Sequence, residues 1–210
     1  MFSRLKMSEK VYISKKMQGK MLGFHTLNTS PLDNMFCEAM SRNPKSICYN
    51  CYSRKGLRTY NTHGRVPWKR NGQILSSKVL DDADLPIIEK EYFRFQSHGE
   101  LINDYHYINL VNIAKKNHDT VFLLPTKRID IVNKHGKMGA TNLILSYSEP
   151  LVNHPVKKLP KHFNRRFSVF TPEYVEEHNI DINCGGKRCM DCLQCYRIGN
   201  NLKWVNELIR

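Results

Sequence analysis

Polar and apolar positions alternate weakly over the first third of the chain and strongly over the second. Met21-Leu22-Gly23-Phe24-His25-Thr26-Leu27 is a short apolar stretch that reads as a strand. Residues 53–75 hold many Arg, Lys, Asn and Gly and few aliphatics, which predicts an exposed excursion. Regularity begins near residue 86. Glu91-Tyr92-Phe93-Arg94-Phe95 predicts a buried strand that stops at Ser97-His98-Gly99-Glu100. Beyond it Asn103 is a plausible N-cap, and Tyr107, Leu110, Val111 and Ala114 repeat at the spacing of one helix face, so 103–117 predicts a helix. Thr120–Leu124, Asn142–Ser146 and Arg166–Phe170 read as further strands, with a short helix ending near 134.

Strand, helix, strand, helix, strand is the alternation of a parallel sheet with helical crossovers, so the fold class is α/β. Functional residues of such sheets gather beyond the C-terminal strand ends. Segments 97–100, 125–128 and 146–149 should then share one rim. The chain reads as a single domain over 1–210: an N-terminal arm and first Cys loop over 1–75, a βα core over 76–175, and a Cys-rich segment over 176–210.

Of 210 residues, 40% are apolar, which suits a soluble domain with its own core. No apolar run is long enough to span a bilayer, and Met1–Lys6 lacks the pattern of a secretory signal, so the expected location is the cytoplasm, without membrane partners. In a reducing compartment, thiols read as ligands or catalysts rather than disulfides. The seven cysteines fall into two groups separated by 132 residues without one. Cys184, Cys189, Cys192 and Cys195 are spaced C-x4-C-x2-C-x2-C, a closed set suited to an iron–sulfur cluster or to zinc. Cys37, Cys48 and Cys51 are spaced C-x10-C-x2-C, one ligand short. His25 or His63 could complete a zinc knot, a distal cysteine could close the site, or the fourth position could stay open. A 4Fe-4S cluster held by three thiolates leaves one iron free for a small molecule such as S-adenosylmethionine.

Charge changes the picture next. The chain has 33 Lys+Arg against 19 Asp+Glu, a net charge of +14, and this points to a polyanionic partner. Arg54, Lys55, Arg58, Arg65, Lys69 and Arg70 interleave with Tyr60 and Trp68, cations for phosphate and rings for unpaired bases. Lys157, Lys158, Lys161, Arg165 and Arg166 form a second basic run. His98 and Glu100, just past a strand, are weak candidates for acid–base work. No nucleotide-hydrolase glycine loop, HExxH or Gly-x-Ser-x-Gly is present.

Several blocks carry a family likeness. Met21–Phe24, Cys48–Gly56, Phe93–Leu101, Thr126-Lys127-Arg128 and the terminal Cys block resemble, in order and rough spacing, the phage gene product 88 family. The resemblance implies a phage origin, hence a host-cell cytoplasm, and a partial (βα) barrel like that of radical S-adenosylmethionine enzymes. Where the family reads Ser-Gly-Asp, this chain has Ser97-His98-Gly99-Glu100. Gly99-Glu100 also resembles the Gly-Gly-Glu turn with which radical enzymes seat S-adenosylmethionine, whereas the gap after Cys37 departs from their C-x3-C-x2-C spacing. Two functions follow as expectations. One is an iron–sulfur enzyme of radical type acting on nucleic acid or nucleotides. The other is a non-enzymatic basic module whose zinc or iron–sulfur sites staple the fold while it binds nucleic acid or a host protein.

Overall fold

A computed structural model describes residues 10–155 and 157–209. The reading of Met1–Lys6 lies outside them. Six strands form one sheet: β1 (His25–Leu27), β2 (Tyr92–Phe95), β3 (Val121–Thr126), β4 (Leu143–Ser148), β5 (Arg165–Phe170) and β6 (Trp204–Leu208). Their spatial order is β1 to β6 and every pairing is parallel. The four strands expected from 91 onward are present within a few residues. β6 is an addition that the sequence pattern did not announce.

The helices are α1 (Met35–Met40), α2 (Tyr52–Arg58), α3 (Arg65–Ser77), α4 (Asp104–Lys116), α5 (Ile129–His135), α6 (Pro172–His178) and α7 (Cys189–Cys192). α4 starts where the Asn103 side chain accepts from the His106 N–H at 3.0 Å, as a capping asparagine should. The expected excursion over 53–75 is instead α2 and α3. Trp68, Asn71, Gly72 and Leu75 are the buried positions of α3 and repeat at i, i+3, i+4 and i+7. Two of those four are not apolar, so hydropathy hid the helix. Asn71 is buried because its amide is fully used, donating to the Tyr12 and Asn28 carbonyls and accepting from the Tyr12 N–H.

Alternation along the strands sorts the two faces of the sheet. Phe93, Phe95, Phe122, Leu124, Leu143 and Leu145 point to one side and pack with Leu75, Tyr107, Leu110, Val111 and Val132 from the helices. Phe95 and Phe122 stack at 4.9 Å between centroids. This is the core. On the other face, Arg94, Leu123, Pro125, Ser146, Ser148, Phe167, Val169, Val205 and Glu207 line a cavity of about 2140 Å³. Part of that face is plugged by Phe24, Leu123, Ile144 and Tyr196, with Phe24 stacked on Tyr196 at 4.8 Å. Sequential parallel order needs no reversal of strand direction, and crossovers of one hand keep helices to one side. The opposite face is thereby left to loops, to the short α7 and to the cavity.

Candidate functional site

The first Cys group sits beyond the C-terminal ends of β2 and β3. Asn34 caps α1, accepting from the Cys37 N–H at 3.2 Å, and its own amide donates to the Glu100 carbonyl at 2.9 Å. Cys48 follows Ser46, whose hydroxyl accepts the Cys48 N–H at 3.1 Å, and Cys51 is the residue from which α2 starts. Burial pushes the Cys37 thiol up, reinforced by Glu100 and by Cys48, which places the trio in one electrostatic neighbourhood. Lys127 lies among them with Nζ 3.2 Å from the Ser148 hydroxyl. Burial alone would lower its ammonium, yet Cys48, Glu100, Cys37 and Cys51 together hold it above its ordinary value.

Glu100 is buried and committed. Its Oε1 accepts from the Leu101 N–H at 2.8 Å and the Thr126 hydroxyl at 2.5 Å, and its Oε2 accepts from the Lys127 N–H at 2.8 Å. It therefore ties the β2 turn to the end of β3. Gly99 has φ +93, and a Cβ there would stand 2.4 Å from the Thr29 carbonyl and hydroxyl oxygens. That close approach of two strand ends admits only glycine.

The second group is built around α7. Cys184 donates its N–H to the Asn206 carbonyl on β6, and its sulfur lies 3.5 Å from Lys20 Nζ. Leu193 ends α7 in the left-handed region at φ 51, a conformation that costs a non-glycine residue about 1 kcal/mol. Its side chain is packed with the Phe24 plug, which offsets that strain and turns Cys195 back towards the sheet. Cys195 adjoins Arg165, and Cys189 adjoins Arg94. Arg94 Nε and Arg165 Nε are buried without a hydrogen-bond partner among the described residues, while the Tyr196 hydroxyl adjoins Arg94 and the rest of the Arg165 guanidinium adjoins Cys195.

All seven thiols are free. Among the described residues, no set of three or more His, Cys, Asp or Glu is gathered so as to hold a metal ion. His25 neighbours Lys90 and Lys15, His63 neighbours His98, and no histidine is among the groups that act on Cys37 or Cys48. The groups acting on Cys37 likewise include no distal cysteine. What the fold does bring together is the two Cys groups, since all seven line the same cavity. Tyr52, next to Cys51, and Arg94, next to Cys189 and Cys195, act on each other and so connect the two regions.

His98 is held rather than free. It stacks on Trp68 at 4.5 Å, meets Tyr52 edge-on, and its Nδ1 lies 2.8 Å from the Ser53 hydroxyl. Burial first, then Arg94 and His63, push its pKa down to about 4, so the ring is neutral near pH 7.

The expected nucleic-acid residues divide. Trp68 is 3% exposed and donates to the Ser14 hydroxyl, so its ring is core and not a platform for a base. Lys55, Arg58, Arg65 and Lys69 are exposed on the outer side, with Lys69 paired to Asp33 and Arg65 bonded to the Leu57 and Arg58 carbonyls. Arg54 and Arg70 line the cavity, bonded to the Pro31 and Lys10 carbonyls. Arg165 and Arg166 do not extend a surface run: both are buried on β5. Arg94 was missed as a site residue. Its only signal was a charge at an alternate position of the apolar strand Tyr92-Phe93-Arg94-Phe95.

No helix among the described residues is long and apolar enough to cross a membrane. No curated protein and no solved structure matches this chain. The family of phage gene product 88 matches over residues 5–207, which is nearly the whole sequence. The chain therefore belongs to the gene product 88 family.

Proposed function

We propose that this protein is an iron–sulfur protein whose two Cys groups each carry a cluster and flank a substrate bound in the cavity between them. The observation that carries the reading is the opening of all seven thiols to one cavity of about 2140 Å³. Ordinary ligand pockets hold roughly 300–1,000 Å³, so this volume has room for inorganic cores together with an organic substrate. Six parallel strands in sequential order, with α3, α4 and α5 on one face and the cavity on the other, suit the open half-barrel implied by the family likeness.

Thiolates are the protein ligands of iron–sulfur clusters, one to each iron, and the thiols within each group influence one another. The sulfides of a cluster also accept hydrogen bonds, which suits the unpartnered Arg94 Nε and Arg165 Nε beside Cys189 and Cys195.

Cys37, Cys48 and Cys51 would hold the reactive cluster and Cys184, Cys189, Cys192 and Cys195 the auxiliary one. Held by three thiolates, the first cluster would leave a position for S-adenosylmethionine and would supply one-electron chemistry there. Around it, Lys127 offsets thiolate charge, Gly99 lets the turn approach closely, and Glu100 fixes that turn. The substrate class is nucleic acid or a nucleotide, in keeping with the net charge of +14.

Anaerobic purification followed by iron and sulfide analysis tests the reading. Brown protein with about eight irons per chain, cleaving S-adenosylmethionine after reduction, is the expected result. Colourless protein with stoichiometric zinc would replace it with the binding-module function.

A further inference from the structure

The wall of the cavity is electrically lopsided. Four carboxylates line it, and each is already engaged. Glu100 accepts three hydrogen bonds from its own turn and from β3. Glu149 accepts from the Leu151 N–H and faces His154. Asp191 pairs with Arg188, and Glu207 with Lys20. Lys20, Arg54, Arg70 and Lys127 are engaged too, but four other cations of the lining form no ion pair among the described residues. Lys15 and Lys16, just after the Ser14 that bridges antiparallel to Thr26 of β1, line the cavity, as do Lys187 and Arg197 from the Cys-rich segment. All four are exposed, and none forms an ion pair among the described residues. Such an array attracts phosphate without a competing internal anion.

Rings accompany the cations. Tyr12, Tyr52 and Tyr60 line the same cavity and are 43%, 63% and 74% exposed. Large exposed aromatics beside unpaired cations form the combination that stacks unpaired bases while following a backbone. Lys55, Arg58, Arg65 and Lys69 do not line the cavity, and two of them are tied to groups of this chain.

We infer that the mouth of the cavity binds a nucleoside phosphate with an unpaired base, its phosphate held by Lys15, Lys16, Lys187 and Arg197 and its base against Tyr12 or Tyr60. The inference rests on the nucleic-acid half of the proposed function and moves the contact from the outer face of α2 and α3 to the cavity. A duplex stacks its bases inside and offers no free ring face, so the ligand enters as a single strand or as a free nucleotide.

Fluorescence anisotropy of the anaerobically purified full chain, with a labelled oligothymidine and with a labelled mononucleotide, tests this. The oligonucleotide should bind with a steep salt dependence. Lys15→Glu with Lys16→Glu should weaken it at least tenfold at low salt and reduce the log–log salt slope by about two. Tyr60→Ala should weaken it without changing the slope. Lys55→Glu with Arg58→Glu, on the outer face, should change it less than threefold. Binding of the mononucleotide at comparable strength identifies a free nucleotide as the source of the phosphate, and preference for the strand identifies nucleic acid. Unchanged binding in the Lys15/Lys16 variant, or its loss only in the Lys55/Arg58 variant, overturns the inference. Iron content measured on the same samples separates the outcomes: iron-loaded protein that binds neither probe ends this inference and leaves the cluster proposal standing.

Discussion

Lys20, five residues before the first strand, is ion-paired with Glu207 on the last. In a flat sheet the outer strands of six would stand about 24 Å apart. The pair is therefore made across the cavity face, by the segment that leads into β1. The same lysine reaches Cys184, Met21 Sδ lies 3.7 Å from Arg94, and Gly23 lies against Met190. One short segment thus joins the two sheet edges and covers the second Cys group.

Both side chains of that pair are less than one-fifth exposed. Lys20→Met should lower stability by about 2 kcal/mol, a value reduced from that of fully buried pairs because some solvent remains. Combining it with Glu207→Leu should restore most of the loss, because the second change removes the uncompensated charge. Urea unfolding of the two single variants and the double variant reads the coupling directly.

Gly99→Ala should be among the most damaging small substitutions. The new methyl would meet Thr29 oxygens at 2.4 Å in a backbone region that side chains avoid. A cost of about 3 kcal/mol is expected from clash and strain together. Thermal unfolding measures it, and Gly139→Ala, where φ is also positive but nothing lies within 4 Å, should cost markedly less.

His106 gives a pH signature. It is fully buried, its Nδ1 accepts from the Ile102 N–H at 3.2 Å, and burial pushes its pKa down to about 3. An unfolded histidine titrates near 6.5, so between these values the unfolded chain binds the extra proton. Stability is then fully present above about pH 6.5 and falls as the pH drops towards 3. The contribution is on the order of 4 kcal/mol. Urea midpoints taken between pH 7 and 4 should decline, and His106→Gln should remove about one proton from the slope. His98, with its pKa near 4, adds to the decline in the same window.

Cysteine substitutions should divide into two sets. Serine at Cys37, Cys48 or Cys51 should abolish S-adenosylmethionine cleavage and lower the iron by about half, with the auxiliary centre retained. Serine at Cys184, Cys189 or Cys195 should remove the other half. Cys192 is the exposed thiol of its group, so serine there should give the mildest loss. Iron, sulfide and electron paramagnetic resonance spectra of each variant make the comparison.

Much of the α/β order was legible because it rests on local patterns. Alternation in Tyr92–Phe95, the Asn103 cap and the repeat of Tyr107, Leu110, Val111 and Ala114 each fix an element before any packing is known. α3 was not legible because its buried face includes Asn71 and Gly72, which become interior only when the Tyr12 and Asn28 backbones arrive to meet them. β6 and α7 were hidden by the charged and cysteine-rich segment around them.

By itself, the sequence determined which residues are chemically able to ligate, the parallel alternation of the core, and the excess of positive charge. Those properties belong to side chains and to short-range spacing. Tertiary structure alone decided that thiols 132 residues apart open to one cavity, that Glu100 spends its carboxylate on its own turn, and that Trp68 is core while Lys15 and Lys16 line the opening. Each of these depends on which strand ends meet, and no local pattern encodes that.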